Sequence, residues 1–208
     1  KRQKAWINGR FIDIDKAKIS VFDRGFLYGD GAFETMRGYA GIIFRLDEHL
    51  NRFFDSLKVL RIRPPCNKIY LKKALYKSLK VNNIKNAYIR LSMTRGKGRF
   101  DTGYKGAFTP NVVMTTKEFE EYPAWMYRNG LSAKIVKGIA ITERSVLANI
   151  KSLNFLTFIL ARLYAKEAGF DEAILMNAKG HIAEAATSNI FLVKRERIVT
   201  PSLASGIL

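Results

Sequence analysis

The chain has 208 residues, 48% of them hydrophobic, enough to bury a sizeable core in one or two domains. One cysteine excludes an intrachain disulfide or a multi-thiolate metal centre, and two distant histidines, His49 and His181, argue against a zinc site or a Ser-His-Asp triad. The net charge of +18 points to anionic partners. The basic residues are scattered without a polybasic tail, so a small anionic substrate or cofactor is favoured over nucleic acid.

No apolar stretch approaches the ~20 residues of a membrane span, and KRQKAWINGR has no apolar run of a signal peptide. A soluble cytoplasmic protein is the expectation. The chain opens as a hairpin, with Lys4–Ile7 and 10–14 flanking Asn8-Gly9. A Gly- and aromatic-rich segment leads into a strand near 38–46 that turns at Tyr39-Ala40-Gly41. Asp47 is a candidate N-cap for a helix carrying Leu50, Phe53, Phe54, Leu57 and Leu60 at helical spacing, which ends near Pro64-Pro65. A second helix over 67–81 should bury Leu71, Ala74, Leu75 and Leu79. Strands follow at 86–94 and 111–116, with the loop RGKGRFDTGYKG between them.

Residues 118–130 read as the approach to a second unit. A strand over 131–141 comes next, then a helix over 154–168 with Leu156, Ile159, Leu160 and Leu163 on one face and Gly169 as its stop. Strands at 172–176, 181–184, 190–194 and 198–200 complete the chain. The pattern predicts an α+β fold with antiparallel pairing in its first part.

Four features could carry chemistry. Lys151 lies in the apolar run VLANIKSLNFL. A desolvated lysine loses basicity and becomes a nucleophile towards aldehydes; the alternative is a lysine whose head reaches water past an apolar stem. Glu184, in GHIAEAATSNIFLV, could pair with a protonated pyridine nitrogen, or face water at a strand end. Arg52, with His49 and Ser56 on one flank of its helix, has the planar fork that suits phosphate; a plain surface arginine is the alternative. The loop RGKGR at 95–99 could take a carboxylate or phosphate, or be a basic hairpin loop.

In this order and spacing, these features resemble one family. FDRGFLYGDGAFETMR followed by HLNRFFDSLKVLRI is similar to the N-terminal signature of class-IV aminotransferases, the fold-type-IV pyridoxal 5′-phosphate (PLP) enzymes. The stretch from IKSLNFL to SNIFLV resembles their second signature, and TPSLASGIL the approach to a third. The resemblance implies a two-domain enzyme: an N-terminal α+β domain over 1–120, a linker over 121–130 and a larger cofactor-binding domain from 131 that is incomplete at Leu208. It implies PLP as cofactor, held by Lys151 as a Schiff base that later moves the substrate proton, by Arg52 on the phosphate and by Glu184 on the ring nitrogen. Ser188 and Asn189 would line the cofactor's face. Tyr28 and Phe33 match substrate-pocket positions, and Lys97 and Arg99 are candidates for a substrate carboxylate. No metal is implied, and a homodimer is.

The expected activity is transfer of an amino group between a branched-chain-like amino acid and a 2-oxo acid. Aminodeoxychorismate lyase, which eliminates pyruvate from the same carbanion, is the alternative, with a D-amino-acid aminotransferase third and a basic nucleic-acid-binding protein last. AYIRLSMTRG resembles the branched-chain enzymes. FETMR departs from their usual FEG and, like TPSLASGIL, is nearer the lyase. Phe155 stands where branched-chain enzymes commonly place a tyrosine, and has no hydroxyl to offer the cofactor.

Overall fold

A computed structural model describes residues 2–98 and 108–208. The chain forms two compact units. The first runs through Glu120 and takes in Lys151–Leu153; the second comprises Glu121–Ile150 and Asn154–Leu208.

In the first unit, β1 (Lys4–Ile7) and β2 (Arg10–Asp13) form the expected hairpin, with Asn8 and Gly9 at positive φ in the turn. A short helix, α1 (Arg24–Tyr28), is capped by the Asp23 carboxylate, which accepts from Gly25 N. The strand β3 (Gly31–Tyr39) turns into β4 (Ile42–Ile43) and leads to α2 (Leu46–Val59). The helix α3 (Lys68–Asn82) precedes β5 (Ala87–Thr94) and β6 (Asn111–Glu118). The sheet order is β2-β1-β6-β5-β3-β4, antiparallel throughout.

The two helices build the core on one face of this sheet. Leu50, Phe53 and Leu57 of α2 and Leu71, Leu75 and Leu79 of α3 pack with Met36, Ile89, Leu91, Met93 and Met114. Each such side chain contributes about 1.5–3 kcal/mol of transfer free energy. Alternation fixes which side chains the opposite face of β3 and β5 presents: Phe33, Thr35 and Arg37 beside Tyr88, Arg90 and Ser92.

Three local expectations change. The strand expected near 38–46 begins at Gly31 and ends at Tyr39; the buried charge of Glu34 breaks the apolar pattern that would mark its first half in the sequence. Asp47 is not the N-cap of α2. Arg45 holds that place in a left-handed conformation, and Asp47 stands in the first turn, where the helix dipole favours a negative charge. Residues 118–130 contain the end of β6 and a helix, α4 (Ala124–Asn129), rather than only a connecting segment.

In the second unit, β7 (Ala133–Ile141) pairs in parallel with β8 (Glu172–Asn177) across the helix α5 (Leu156–Glu167), and β9 (Ile182–Ala185) adds antiparallel to β8. A separate hairpin joins β10 (Leu192–Lys194) and β11 (Arg197–Val199). The helix turns Ala161 and Ala165 into this unit's core and leaves Leu156, Ile159 and Leu163 exposed. The face that carries Leu156, Ile159 and Leu163 is thus the outer one in this unit. Among the described residues no helix is long and apolar enough to cross a membrane.

Candidate functional site

The decisive local feature is where the backbone of Lys151 goes. By sequence order it falls among residues of the second unit, but it packs with the first. One edge of β3 is taken by β5. Beside the start of its other edge lie Lys151–Leu153: Phe33 N donates to Lys151 O and Leu153 N donates to Gly31 O, each at 2.9 Å, around an antiparallel bridge between Ala32 and Ser152. Gly31 permits this approach, because a Cβ there would stand 2.7 Å from Leu153 Cδ1 and 2.4 Å from Met93 O.

The helix α2 fixes the same lysine from another side. Ser56 Oγ donates to Arg52 O at 2.9 Å and accepts from Lys151 N at 3.3 Å. His49, Arg52 and Ser56 fall at helical spacing on one flank of α2. That flank meets Glu34, whose side chain has no solvent exposure. Arg52 Nε donates to Glu34 Oε1 at 2.5 Å and Nη2 donates to Oε2 at 2.8 Å, while His49 Nδ1 lies 2.8 Å from Oε2. Desolvation alone would raise the Glu34 carboxyl, but the hydrogen bonds and charges of Arg52 and His49 outweigh it and hold Glu34 below its ordinary value. The Glu34 hydrogen bond in turn raises Arg52. The Arg52 side chain keeps 40% exposure, and its pairing leaves the Nη1 edge of the fork to an outside anion.

Across β3, the Lys151 amine lies 5.0 Å from the centre of the Phe33 ring, and the Arg90 guanidinium lies 3.8 Å from the same ring. Arg90 comes from β5, opposite Thr35, and burial works against its charge. An amine and a half-buried cation therefore meet at one buried aromatic ring.

The remaining candidates lie elsewhere. Tyr28 ends α1 with its ring 5.0 Å from the Arg24 guanidinium carbon, and Arg24 pairs with Asp30 at 2.9 Å. Lys97 is exposed, and its backbone forms an isolated antiparallel β-bridge with Asp23. Arg99 lies outside the described residues. Arg95, the first cation of the RGKGR loop, is committed to structure: it grips both Asp30 oxygens at 2.7 and 2.9 Å and donates to Leu60 O and Arg61 O. In the second unit Glu184 is buried in β9 opposite Leu175, and Ser188 and Asn189 are exposed on the turn that follows, where Ser188 O accepts from Ala185 N.

Two residues escaped the sequence reading. Glu34 lies within FETMR and Arg90 within AYIRLSMTRG, and neither was singled out. The available signals were an acid on the apolar face of a strand and a cation in the middle of a polar one.

Residues 31–208 match the family model described as amino-transferase class IV. The chain belongs to the class-IV aminotransferase family. That family is PLP-dependent. The chain is 38% identical over 205 residues to a putative branched-chain-amino-acid aminotransferase of Methanocaldococcus jannaschii, covering 99% of this chain and 70% of the relative. It is 34% identical to a D-alanine aminotransferase of Staphylococcus haemolyticus, over 99% of this chain and 71% of that one. It is also 34% identical to the aminodeoxychorismate lyase of Bacillus subtilis, over 98% and 69%. Among solved structures, the branched-chain aminotransferase of Thermoproteus uzoniensis with norvaline superposes with a TM-score of 0.91 at 30% identity, over all of this chain and 71% of the other. The branched-chain amino acid aminotransferase of Escherichia coli gives 0.90 at 25% identity, over all of this chain and 69% of that one. Fold-type-IV architecture follows from these matches, and this chain spans about 70% of the length of these relatives.

The residues present fit a phosphorylated aldehyde cofactor. Arg52 has an oriented, partly exposed fork for the phosphate. Lys151 supplies an amine beside an aromatic ring. Glu184, in the second unit, is a buried carboxylate.

Proposed function

We propose that this chain transfers an amino group between a branched-chain-like amino acid and a 2-oxo acid, with Lys151 as the cofactor-carrying and proton-moving residue. PLP, when bound, supplies the electron sink for the carbanion formed at the substrate's α-carbon. Lys151 holds the cofactor and, once released, takes the α-proton on its amine and returns it. With the cofactor bound, Arg52 would hold the phosphate, Glu184 would keep the ring nitrogen protonated, and Ser188 and Asn189 would lie against the ring. Phe33, which matches a substrate-pocket position of the family, is buried and carries the Lys151 amine and the Arg90 guanidinium over its ring.

The observation that carries this reading is the convergence of the Lys151 amine and the Arg90 guanidinium on the Phe33 ring. Arg90 joins Lys97 and Arg99 as a candidate for a substrate carboxylate. The 38% identity to a putative branched-chain enzyme supports the substrate class. A lyase that eliminates pyruvate is the second reading, supported by the 34% identity to the Bacillus subtilis enzyme. A second copy of the chain is the expected partner, since Val21, Phe22 and Phe26 stand 65%, 44% and 73% exposed in one short segment.

The test is to load the purified protein with PLP and present L- and D-amino acids in turn, following the visible spectrum. Conversion to the pyridoxamine form by L-valine, L-leucine or L-isoleucine is the expected result. Conversion only by D-amino acids, or pyruvate release from aminodeoxychorismate without conversion by amino acids, would replace the branched-chain reading.

A further inference from the structure

The buried carboxylate of Glu34 is unexplained by any role assigned so far. A charge with no solvent exposure is costly, and a hydrophobic residue in the same place would be easier to accommodate. Its charge also opposes the binding of an anion at Arg52. Geometry supplies the compensating reason. Glu34 engages Nε and Nη2 together, which fixes the plane of the guanidinium and turns the Nη1 edge outward. His49 occupies the second lone pair of Oε2 and keeps the carboxylate from rotating. One turn further along α2, Ser56 ties Arg52 O to Lys151 N. A single helix flank thus sets the position of the arginine and of the lysine backbone.

We infer that Glu34 is a positioning residue for the cofactor's phosphate, acting through Arg52, which it holds in a bidentate grip beside Lys151. The inference rests on the reading of Arg52 as the phosphate-binding arginine. Glu34 touches neither substrate nor cofactor, and it trades electrostatic attraction for orientation. Charge alone and orientation therefore predict opposite signs when the carboxylate is neutralised.

Glu34→Gln is the informative variant. Glutamine keeps the shape that fills the buried slot but has one acceptor and one donor, so its amide group faces a guanidinium N–H and one arm of the grip is lost. The experiment titrates cofactor-free protein with PLP and, separately, with pyridoxal, which lacks the phosphate, and reads the visible band of the lysine-bound form. For Glu34→Gln, the PLP Kd is expected to rise about tenfold, the worth of one charge-assisted hydrogen bond, with the pyridoxal Kd unchanged. An unchanged or tighter PLP Kd would overturn the inference, as would equal weakening of both ligands, the mark of a merely structural role. Arg52→Lys, measured in parallel, separates the two layers. Loss of the preference for PLP over pyridoxal in Arg52→Lys but not in Glu34→Gln removes Glu34's role alone. Full preference in Arg52→Lys, or no visible band in the unmodified protein, removes the underlying reading and the inference with it.

Discussion

The grip of Glu34 on Arg52 predicts an asymmetry in stability that can be read without cofactor. Arg52→Ala leaves a carboxylate with no solvent exposure and only His49 at 2.8 Å to meet it. Breaking a buried pair from this side costs about 3–5 kcal/mol, and the surviving His49 contact argues for the lower end. Glu34→Gln leaves Arg52, whose side chain is 40% exposed and can turn to water, so the loss is confined to hydrogen bonds, about 1–2 kcal/mol. For a chain of this size each kcal/mol moves Tm by about 2–4 °C. Arg52→Ala should therefore melt roughly 6–12 °C lower and Glu34→Gln only about 2–8 °C lower, followed by circular dichroism on cofactor-free protein. The gap also depends on pH. Without Arg52, His49 alone opposes the burial that raises the Glu34 carboxyl, so it takes up its proton at higher pH than in the unmodified protein and protonation relieves the variant. The difference from the unmodified protein should shrink as pH falls towards about 5. Equal losses in the two variants, or a gap that is constant with pH, would refute the reasoning.

Other outcomes follow from the same geometry. In the unmodified protein, Glu34 and Asp30 are both held below their ordinary values of 4.5 and 3.8; burial opposes this, but Arg52 and His49 outweigh it at Glu34, and Arg95 and Arg24 at Asp30. Their contribution is complete above those values and is lost as pH falls through the depressed ones, so urea midpoints should drop steeply below about pH 4. Lys151→Ala should abolish turnover while Tm changes by no more than about 1 kcal/mol would produce, since the side chain is partly exposed and the backbone hydrogen bonds to β3 are kept. Glu184→Ala should retain PLP in the visible spectrum yet lower kcat by about a hundredfold, because the ring would lose the partner that keeps it protonated. Ser56→Ala should cost about 1 kcal/mol in urea unfolding, through the lost links to Arg52 O and Lys151 N.

The parts of the fold that periodicity controls were legible in the sequence. The Asn8-Gly9 hairpin, the apolar stripes of α2 and α3 and the alternation of β5 each follow from one repeating pattern over a continuous segment. Shorter elements were not legible. The helix α1 spans only Arg24–Tyr28 in a glycine-rich stretch and depends on the Asp23 cap and the Asp30 pairs rather than on an apolar face. In α5 the largest apolar residues were the natural choice for a buried face, but packing against this unit's sheet falls to Ala161 and Ala165.

For the site, residue types could be picked out one at a time, but their partners could not. Lys151, Arg52 and Glu184 drew notice because each is a charged group in apolar company. Nothing in the order of the chain shows that Lys151 hydrogen-bonds across 95 residues to Ser56, or that Glu34 fixes Arg52. Those contacts depend on the register of β3 with β5 and on which flank of α2 faces Glu34, both set by tertiary packing. The RGKGR loop shows the converse: its cations suggested anion binding, yet Arg95 is consumed by Asp30 and the carbonyls of Leu60 and Arg61.

The most direct test of the central claim is to reduce the PLP-loaded protein with borohydride, digest it and map the modified peptide by mass spectrometry. The account predicts the phosphopyridoxyl group on Lys151 and its disappearance in Lys151→Ala. Stoichiometric label on a different lysine, or label that persists in Lys151→Ala, would contradict it.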